Sequence, residues 1–330
     1  MSLLSVRDLT VKFSNRTGAL TALNGISFDL ARGERLGIVG ESGAGKSITG
    51  FALMNLLSQP GFIDGGQILF EGEDVTQMSK KQVRDMRGNR MAMIFQDPMV
   101  TLNPVLTIGQ QMVETLRAHR KLSFEEARQI ALVKLKEVYI PSPVERFEQY
   151  PHELSGGMRQ RIIIAMALLL DPKLIIADEP TTALDVTIQA DIMELLLEMC
   201  QSNQVGLILI THDLGVVSQV TERTMVMYAG RIIENGPTRS IINDPQHPYT
   251  QGLISALPQQ TQPGQRLKQI PGVMPTLSDM PSGCPFHPRC DHATETCKSQ
   301  VPDISQSGES FVACHEVHRL QKELASEAAQ

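Results

Sequence analysis

Gly40-Glu41-Ser42-Gly43-Ala44-Gly45-Lys46-Ser47 stands directly behind the apolar run Leu36-Gly37-Ile38-Val39. The run reads as a buried strand, and the eight residues after it fit G-x-x-x-x-G-K-[ST], the pattern of a loop that cradles phosphates. Its glycines let the backbone curl so that successive N–H groups point inward at phosphate oxygens, Lys46 can reach the terminal phosphates, and Ser47 can hold Mg²⁺. The stretch predicts a nucleotide triphosphate site with Gly40, Ser42, Gly43, Ala44, Gly45, Lys46 and Ser47 in contact with the ligand.

Working outward, Leu9, Val11 and Phe13, then Ile26, Phe28 and Leu30, alternate with polar residues on either side of a turn at 15–18, as antiparallel strands with one solvated face do. Residues 46–58 have helical content, and 65–72 return to strand and turn. From about Ile108 to Val138 the apolar positions Met112, Leu116, Ala127, Ile130, Ala131 and Leu135 recur at helical spacing, which marks a helical insert spanning about 97–160. Leu174-Ile175-Ile176-Ala177 and Val205 to Ile210 are continuous apolar runs, the mark of strands buried on both faces of a parallel sheet, with a helix at 187–200 between them. Beyond Pro237 prolines become frequent and four of the five cysteines appear. The expected fold is α/β, with an antiparallel β subdomain, a helical subdomain and a small Cys/Pro-rich C-terminal extension. The boundary falls between residues 1–237 and 238–330.

The chain has 330 residues, 42% of them hydrophobic, enough for a packed core. A net charge of -6 argues against nucleic acid as a partner, because phosphate-backbone binders carry a basic excess. The longest apolar run, Ile162 to Leu170, has nine residues, about half of the roughly 20 that a spanning helix needs. The first residues lack the basic and apolar regions of a signal peptide. A cytoplasmic protein is expected, its cysteines thiols or ligands rather than disulfides.

Leu174 to Ala177 runs into Asp178-Glu179, which places two acids at a strand's C-terminal edge, where α/β sheets bind ligands. Asp178 is suited to coordinate Mg²⁺ through water, and Glu179 to polarise the water that attacks the γ-phosphate. Ser155, Gly156, Gly157 and Met158 in Leu154-Ser155-Gly156-Gly157-Met158-Arg159-Gln160 open another helix, whose N–H groups and dipole favour an anion. In this order, the phosphate loop, Gln96 in Phe95-Gln96-Asp97-Pro98, residues 154–158, Asp178-Glu179, Ala183-Leu184-Asp185 and Thr211-His212-Asp213 resemble the motif set of ABC-type ATPases, which are P-loop NTPases. The resemblance covers about residues 3–240.

That resemblance implies further roles. Phe13 matches the aromatic that stacks on adenine. Gln96 matches the residue that touches Mg²⁺ and the attacking water, and that relays site occupancy to membrane subunits through the helical insert. His212 matches the switch histidine that contacts the γ-phosphate and Glu179. Asp185 matches a loop that crosses the dimer interface. In the family each ATP is closed between the phosphate loop of one subunit and the signature of another, so a one-cassette chain has to pair. Soluble relatives in DNA repair insert long coiled coils, whereas 107 residues separate Ser47 from Ser155 here; those of translation usually carry two cassettes.

His247-Pro248-Tyr249-Thr250, Pro271-Gly272-Val273-Met274-Pro275, and Gly283-Cys284-Pro285-Phe286-His287-Pro288-Arg289-Cys290 resemble the regulatory extension of ATPases serving oligopeptide and dipeptide importers, with nickel and oligosaccharide importers as alternatives. The resemblance implies a second ATPase subunit forming a heterodimer, two membrane-spanning permease subunits, an extracytoplasmic peptide-binding protein, and a peripheral place on the cytoplasmic face of a bacterial inner membrane. Cys284, Cys290, Cys297 and Cys314 are separated by five, six and sixteen residues, without the C-x-x-C knuckle of structural zinc. Some members of the group hold an iron–sulfur cluster there, and four thiolates suit [4Fe–4S]; zinc and unligated thiols are the other readings. Cys200, within the 187–200 helix, reads as core. Because the nucleotide loop is assigned to another domain, the cysteines are expected to act independently of it.

Overall fold

The computed structural model describes residues 2–16, 18–182, 185–257 and 269–328. In chain order the strands are β1 (Ser2–Asn15), β2 (Gly18–Ala31), β3 (Arg35–Val39), β4 (Gly61–Phe70), β5 (Glu73–Asp74), β6 (Met91–Ile94), β7 (Leu174–Asp178), β8 (Gly206–Thr211), β9 (Arg223–Tyr228), β10 (Arg231–Pro237), β11 (Ser305–Ser307) and β12 (Ser310–Val312). The helices are α1 (Lys46–Leu53), α2 (Lys80–Met86), α3 (Pro98–Thr101), α4 (Ile108–His119), α5 (Phe124–Glu137), α6 (Pro143–Phe147), α7 (Gly156–Ala167), α8 (Val186–Ser202), α9 (Leu214–Val220), α10 (Thr238–Asn243), α11 (Pro248–Ser255), α12 (Glu295–Ser299) and α13 (Val317–Ala328). None among the described residues is long and apolar enough to cross a membrane. The chain divides into two compact units, one of residues 1–3, 30–34 and 77–209, the other of 4–29, 35–76 and 210–330.

The first unit holds β8, β7 and β6 in that order, with β6 and β7 parallel and Ile94 opposite Ala177. Every residue of β7 is buried, as its unbroken apolar sequence requires. The insert builds α3 to α6. Its two longer helices start where the sequence provides caps: Thr107 and Ser123 accept from the N–H groups of Gln110 and Glu126, whose side chains return the bond. α3 and α5 pack on α7, and α7 packs on α8. Cys200 is 2% exposed, the core residue the sequence suggested.

Gly109, in the first turn of α4, lies under the Phe147 ring, which is buried and faces the Arg128 guanidinium at 5.6 Å. A Cβ on Gly109 would sit 2.1 Å from Phe147 Cε1. Gly109→Ala is therefore expected to cost about 2 kcal/mol through overpacking and to lower the midpoint of thermal unfolding by a few degrees. An unchanged midpoint in calorimetry would show that Phe147 has another place to go.

In the second unit, β2-β1-β4-β5 form an antiparallel sheet. A second sheet runs β11-β12-β10-β9-β3, with β3 parallel to β9 and the other pairs antiparallel. The C-terminal extension is woven into this sheet: β12 pairs along the edge of β10, with Glu234 opposite Val312 and Asn235 opposite Phe311. Glu234, fully buried, accepts from the N–H groups of Gln246 at 2.8 Å and His247 at 3.0 Å, and burial pushes its carboxyl above the usual range. These bonds tie the start of α11 to β10. The composition change at 237 is therefore not where the compact units part. The phosphate-loop stretch and the described part of the extension lie in the same unit.

Candidate functional site: the phosphate loop, the acidic strand end and the cysteine pocket

The phosphate loop connects β3 to α1 in the second unit, and its glycines are there for steric reasons. Gly40, Gly43 and Gly45 all have positive φ. A Cβ on Gly40 would fall 2.3 Å from Met227 O, and one on Gly45 would fall 2.8 Å from Leu23 Cδ2. The tight curl is thus imposed by β9 and β2 around it, leaving backbone rather than side chains facing a ligand. Lys46 is 6% exposed, and its Nζ donates to Gly40 O at 2.8 Å and Glu41 O at 2.9 Å. The ammonium therefore already spans the loop, within reach of anything the loop holds. Ser47 follows it in the first turn of α1. Gly40, Ser42, Gly43, Ala44, Gly45, Lys46 and Ser47 all lie in this one β3–α1 connection and the start of α1.

Phe13 lies in the same unit near the end of β1, paired with Gly61, and its ring covers that glycine so closely that a Cβ there would meet Phe13 Cε1 at 2.9 Å. The ring stays partly exposed, as a stacking surface must. His212 is exposed, one residue beyond β8 and one before Asp213, the N-cap of α9.

The first unit carries the acids. Asp178, 3% exposed, ends β7, and Glu179 follows in a left-handed backbone conformation, φ 45°. This conformation is uncommon for a residue with a side chain. Gln96 Nε2 donates to Glu179 Oε2 at 2.9 Å, and the Thr182 hydroxyl donates to the same oxygen at 3.0 Å. The structure thus brings Gln96 and Glu179 into direct contact. Thr182, which the sequence reading missed, is its third member; its three-residue spacing from Glu179 is the signal that could have found it.

Ser155 is the N-cap of α7, its hydroxyl accepting from Met158 N–H at 3.4 Å, with Ser155 and Gly156 exposed. Gly157 is buried, where a Cβ would meet Ile188 Cγ2 at 3.0 Å, a tight approach of α7 to α8. Asp185 is the exposed N-cap of α8; Ala183 and Leu184, quoted with it, lie outside the described residues.

The cysteines meet. Cys284, Cys290, Cys297 and Cys314 line one pocket with Phe286, His287 and His292, a space of about 10 Å³, roughly one water molecule. Gly283 turns the chain into it at φ 68°, where a Cβ would collide with Cys297 O, and Cys284 N–H donates to that same carbonyl at 2.8 Å. Burial pushes the Cys290 thiol up to about 11 and that of Cys314 up to about 12, with the neighbouring thiolates adding to it. Such a set is stable as neutral thiols alone, or as thiolates around a strong positive charge. Among the described residues no group of three or more His, Cys, Asp or Glu is drawn close enough to hold a single metal ion.

One expectation is corrected here. The extension touches the phosphate loop: Arg289, next to Cys290, forks the Glu41 carboxylate at 2.6 and 3.0 Å, and Glu41 N–H donates to the Tyr249 hydroxyl at 2.8 Å. The cysteine region is therefore not remote from the loop. Arg289 and Tyr249 both lay within quoted motifs, but nothing local in the sequence pointed them at residue 41.

Residues 23–182 match the family model of the ABC transporter, and residues 233–297 match that of the oligopeptide/dipeptide transporter C-terminal region. The chain is 47% identical over 315 residues to the dipeptide transport ATP-binding protein DppD of Haemophilus influenzae, covering 96% of each. It is 49% identical over 312 residues to the oligopeptide transport ATP-binding protein OppD of Salmonella typhimurium, covering 94% of this chain and 93% of that one. Among solved structures, a dimeric post-hydrolysis state of the ATP-binding cassette MJ0796 bound to ADP and Pi superposes with a TM-score of 0.64 at 26% identity, covering 72% of this chain and 99% of that one. With the phosphate loop, the Gln96–Glu179 pair and the capped signature helix in place, and with similarity running almost end to end, this chain belongs to the ABC transporter ATPases, in the branch of the oligopeptide and dipeptide transport ATP-binding proteins.

Proposed function

We propose that the chain is the ATP-hydrolysing subunit of a bacterial importer of di- or oligopeptides. The observation that carries the cargo class is the match of residues 233–297 to the peptide-transporter C-terminal region, on a chain whose nucleotide motifs are all present. Residues 1–237 form the ATPase proper and 238–330 the extension. Lys46 and the loop amides hold the phosphates of ATP, Ser47, Gln96 and Asp178 are the residues suited to Mg²⁺, and Phe13 to adenine. Bound Mg²⁺ neutralises charge on the terminal phosphates. Glu179 polarises the attacking water, with Gln96 and Thr182 fixing its carboxylate, and His212 senses the γ-phosphate.

The partners are a second ABC ATPase, two permease subunits and an extracytoplasmic peptide-binding protein, with this chain peripheral on the cytoplasmic face of the inner membrane. A strain lacking the gene is expected to lose uptake of labelled di- or tripeptides. Intact peptide uptake with loss of nickel or oligosaccharide uptake would move the assignment to those cargoes.

Ser155, Gly156 and Gly157 complete a neighbour's site in this scheme, and Asp185 lies at the interface. The chain alone is therefore expected to hydrolyse ATP at a few per cent or less of the rate of the assembled complex, on the order of the 10²-fold that one missing electrostatic contribution costs. Full activity in a demonstrably monomeric sample would refute pairing as a requirement.

For the cysteines the reading is one [4Fe–4S] cluster on Cys284, Cys290, Cys297 and Cys314. Supporting it are four cysteines that line one pocket, Cys297 buried and the other three partly so, a donor set that suits iron and sulfide. Zinc, with bonds of about 2.3 Å, needs its sulfurs roughly 4 Å apart and is the alternative.

A further inference from the structure

Glu41 is the second residue of the phosphate loop, and its side chain and backbone are both held by the extension. The Arg289 side chain is 4% exposed. Its guanidinium makes the two bonds to Glu41 already described, donates through Nε to Pro271 O at 2.7 Å, and lies 5.8 Å from the Tyr228 ring and 5.9 Å from the Phe286 ring. The Tyr249 ring is fully buried edge-on to Tyr228, with centroids 4.8 Å apart, so its hydroxyl has one place to be. Met274 Sδ stands 3.7 Å from where a Cβ on Gly43 would be.

A fork bond has both direction and position, and a buried arginine that leaves it would be uncompensated, so the pair acts as a fixed anchor rather than a surface ion pair. Glu41 N–H meanwhile is committed to the Tyr249 hydroxyl. The carbonyls of Gly40 and Glu41 are the two acceptors of Lys46, so whatever sets the orientation of residue 41 also sets where the ammonium rests.

From these contacts we infer that Arg289 and Tyr249 are positioning residues of the ATP site, holding the phosphate loop preformed through Glu41 and thereby coupling the cysteine region to ATP affinity. Preorganisation of this kind acts on binding, because an unanchored loop has to be ordered by the nucleotide itself. Coupling is also reciprocal, so ATP must stabilise the anchor as much as the anchor stabilises ATP.

The inference rests on the loop being the ATP site, and binding of a fluorescent ATP analogue to the parent chain reports on that separately. Equilibrium titrations with full-length Glu41→Gln, Arg289→Gln and the double variant are expected to give dissociation constants about tenfold above the parent's, an ordinary size for coupling between sites, with the double variant no worse than either single one. Tyr249→Phe keeps the ring packing and is expected to weaken binding about threefold. In the parent, saturating ATP should slow amide exchange in 286–290 several-fold, which a merely structural arginine would not do. Should Arg289→Gln fail to fold, Glu41→Gln and Tyr249→Phe still decide the matter. Parent-like affinity in both, or effects that add fully in the double variant, or no protection of 286–290 by ATP, would overturn the inference.

Discussion

Glu179→Gln is expected to lower ATP turnover by roughly a thousandfold, the ordinary worth of a well-placed general base, while ATP stays bound. The loss follows from chemistry at one oxygen. Gln96 and Thr182 fix the Glu179 carboxylate through Oε2, and an amide in its place has no proton affinity to polarise water. The geometry should survive, because Thr182 N–H still donates to Glu179 O at 3.1 Å and fixes the turn. Lys46 and Ser47 are untouched, so nucleotide affinity should stay within about twofold of the parent's. Phosphate release in the assembled complex measures the first effect, and size-exclusion chromatography with ATP should reveal an accumulated dimer. Turnover within a few-fold of the parent's would remove Glu179 from the base role.

Cys290→Ser is expected to abolish cluster binding. Anaerobically purified parent should be brown with about four irons per chain, and the variant colourless. With the pocket unfilled, the segment 284–314 should become sensitive to protease, since the described elements within it are short. Stoichiometric zinc with negligible iron in the parent would replace the cluster by the zinc alternative, and neither metal would leave ordinary thiols. The Arg289–Glu41 contact adds a further consequence: loss of the metal should also weaken ATP binding measurably, because Arg289 is bonded directly to the next residue in the chain, Cys290.

Much of the nucleotide site was legible because its determinants are local. The phosphate loop needs only eight consecutive residues, the acids need only the end of an apolar strand, and the signature needs only an N-cap. The helical insert was legible from the helical spacing of its apolar residues. What the sequence hid depends on distance along the chain or on backbone twist. Tyr249 and Arg289 lie 208 and 248 residues beyond Glu41, and no periodicity or motif pairs positions so far apart. The left-handed turn at Glu179 was equally hidden, since a glutamate in sequence gives no sign of positive φ. The compact units part elsewhere than at 237, because a rise in proline content reports how the backbone is punctuated, not which residues it packs against.

The pairing of β12 along β10 bears on how the protein can be handled. A strand margin with unpaired amide and carbonyl groups is a template for foreign chains, and here the last described strands of the extension occupy that margin opposite Glu234 and Asn235. Cutting the chain ahead of Ser305 to obtain a minimal cassette would strip this cover and leave a sticky margin of hydrogen-bonding groups. Such a fragment would self-associate and precipitate for reasons unrelated to catalysis, and its behaviour would say little about the intact ATPase.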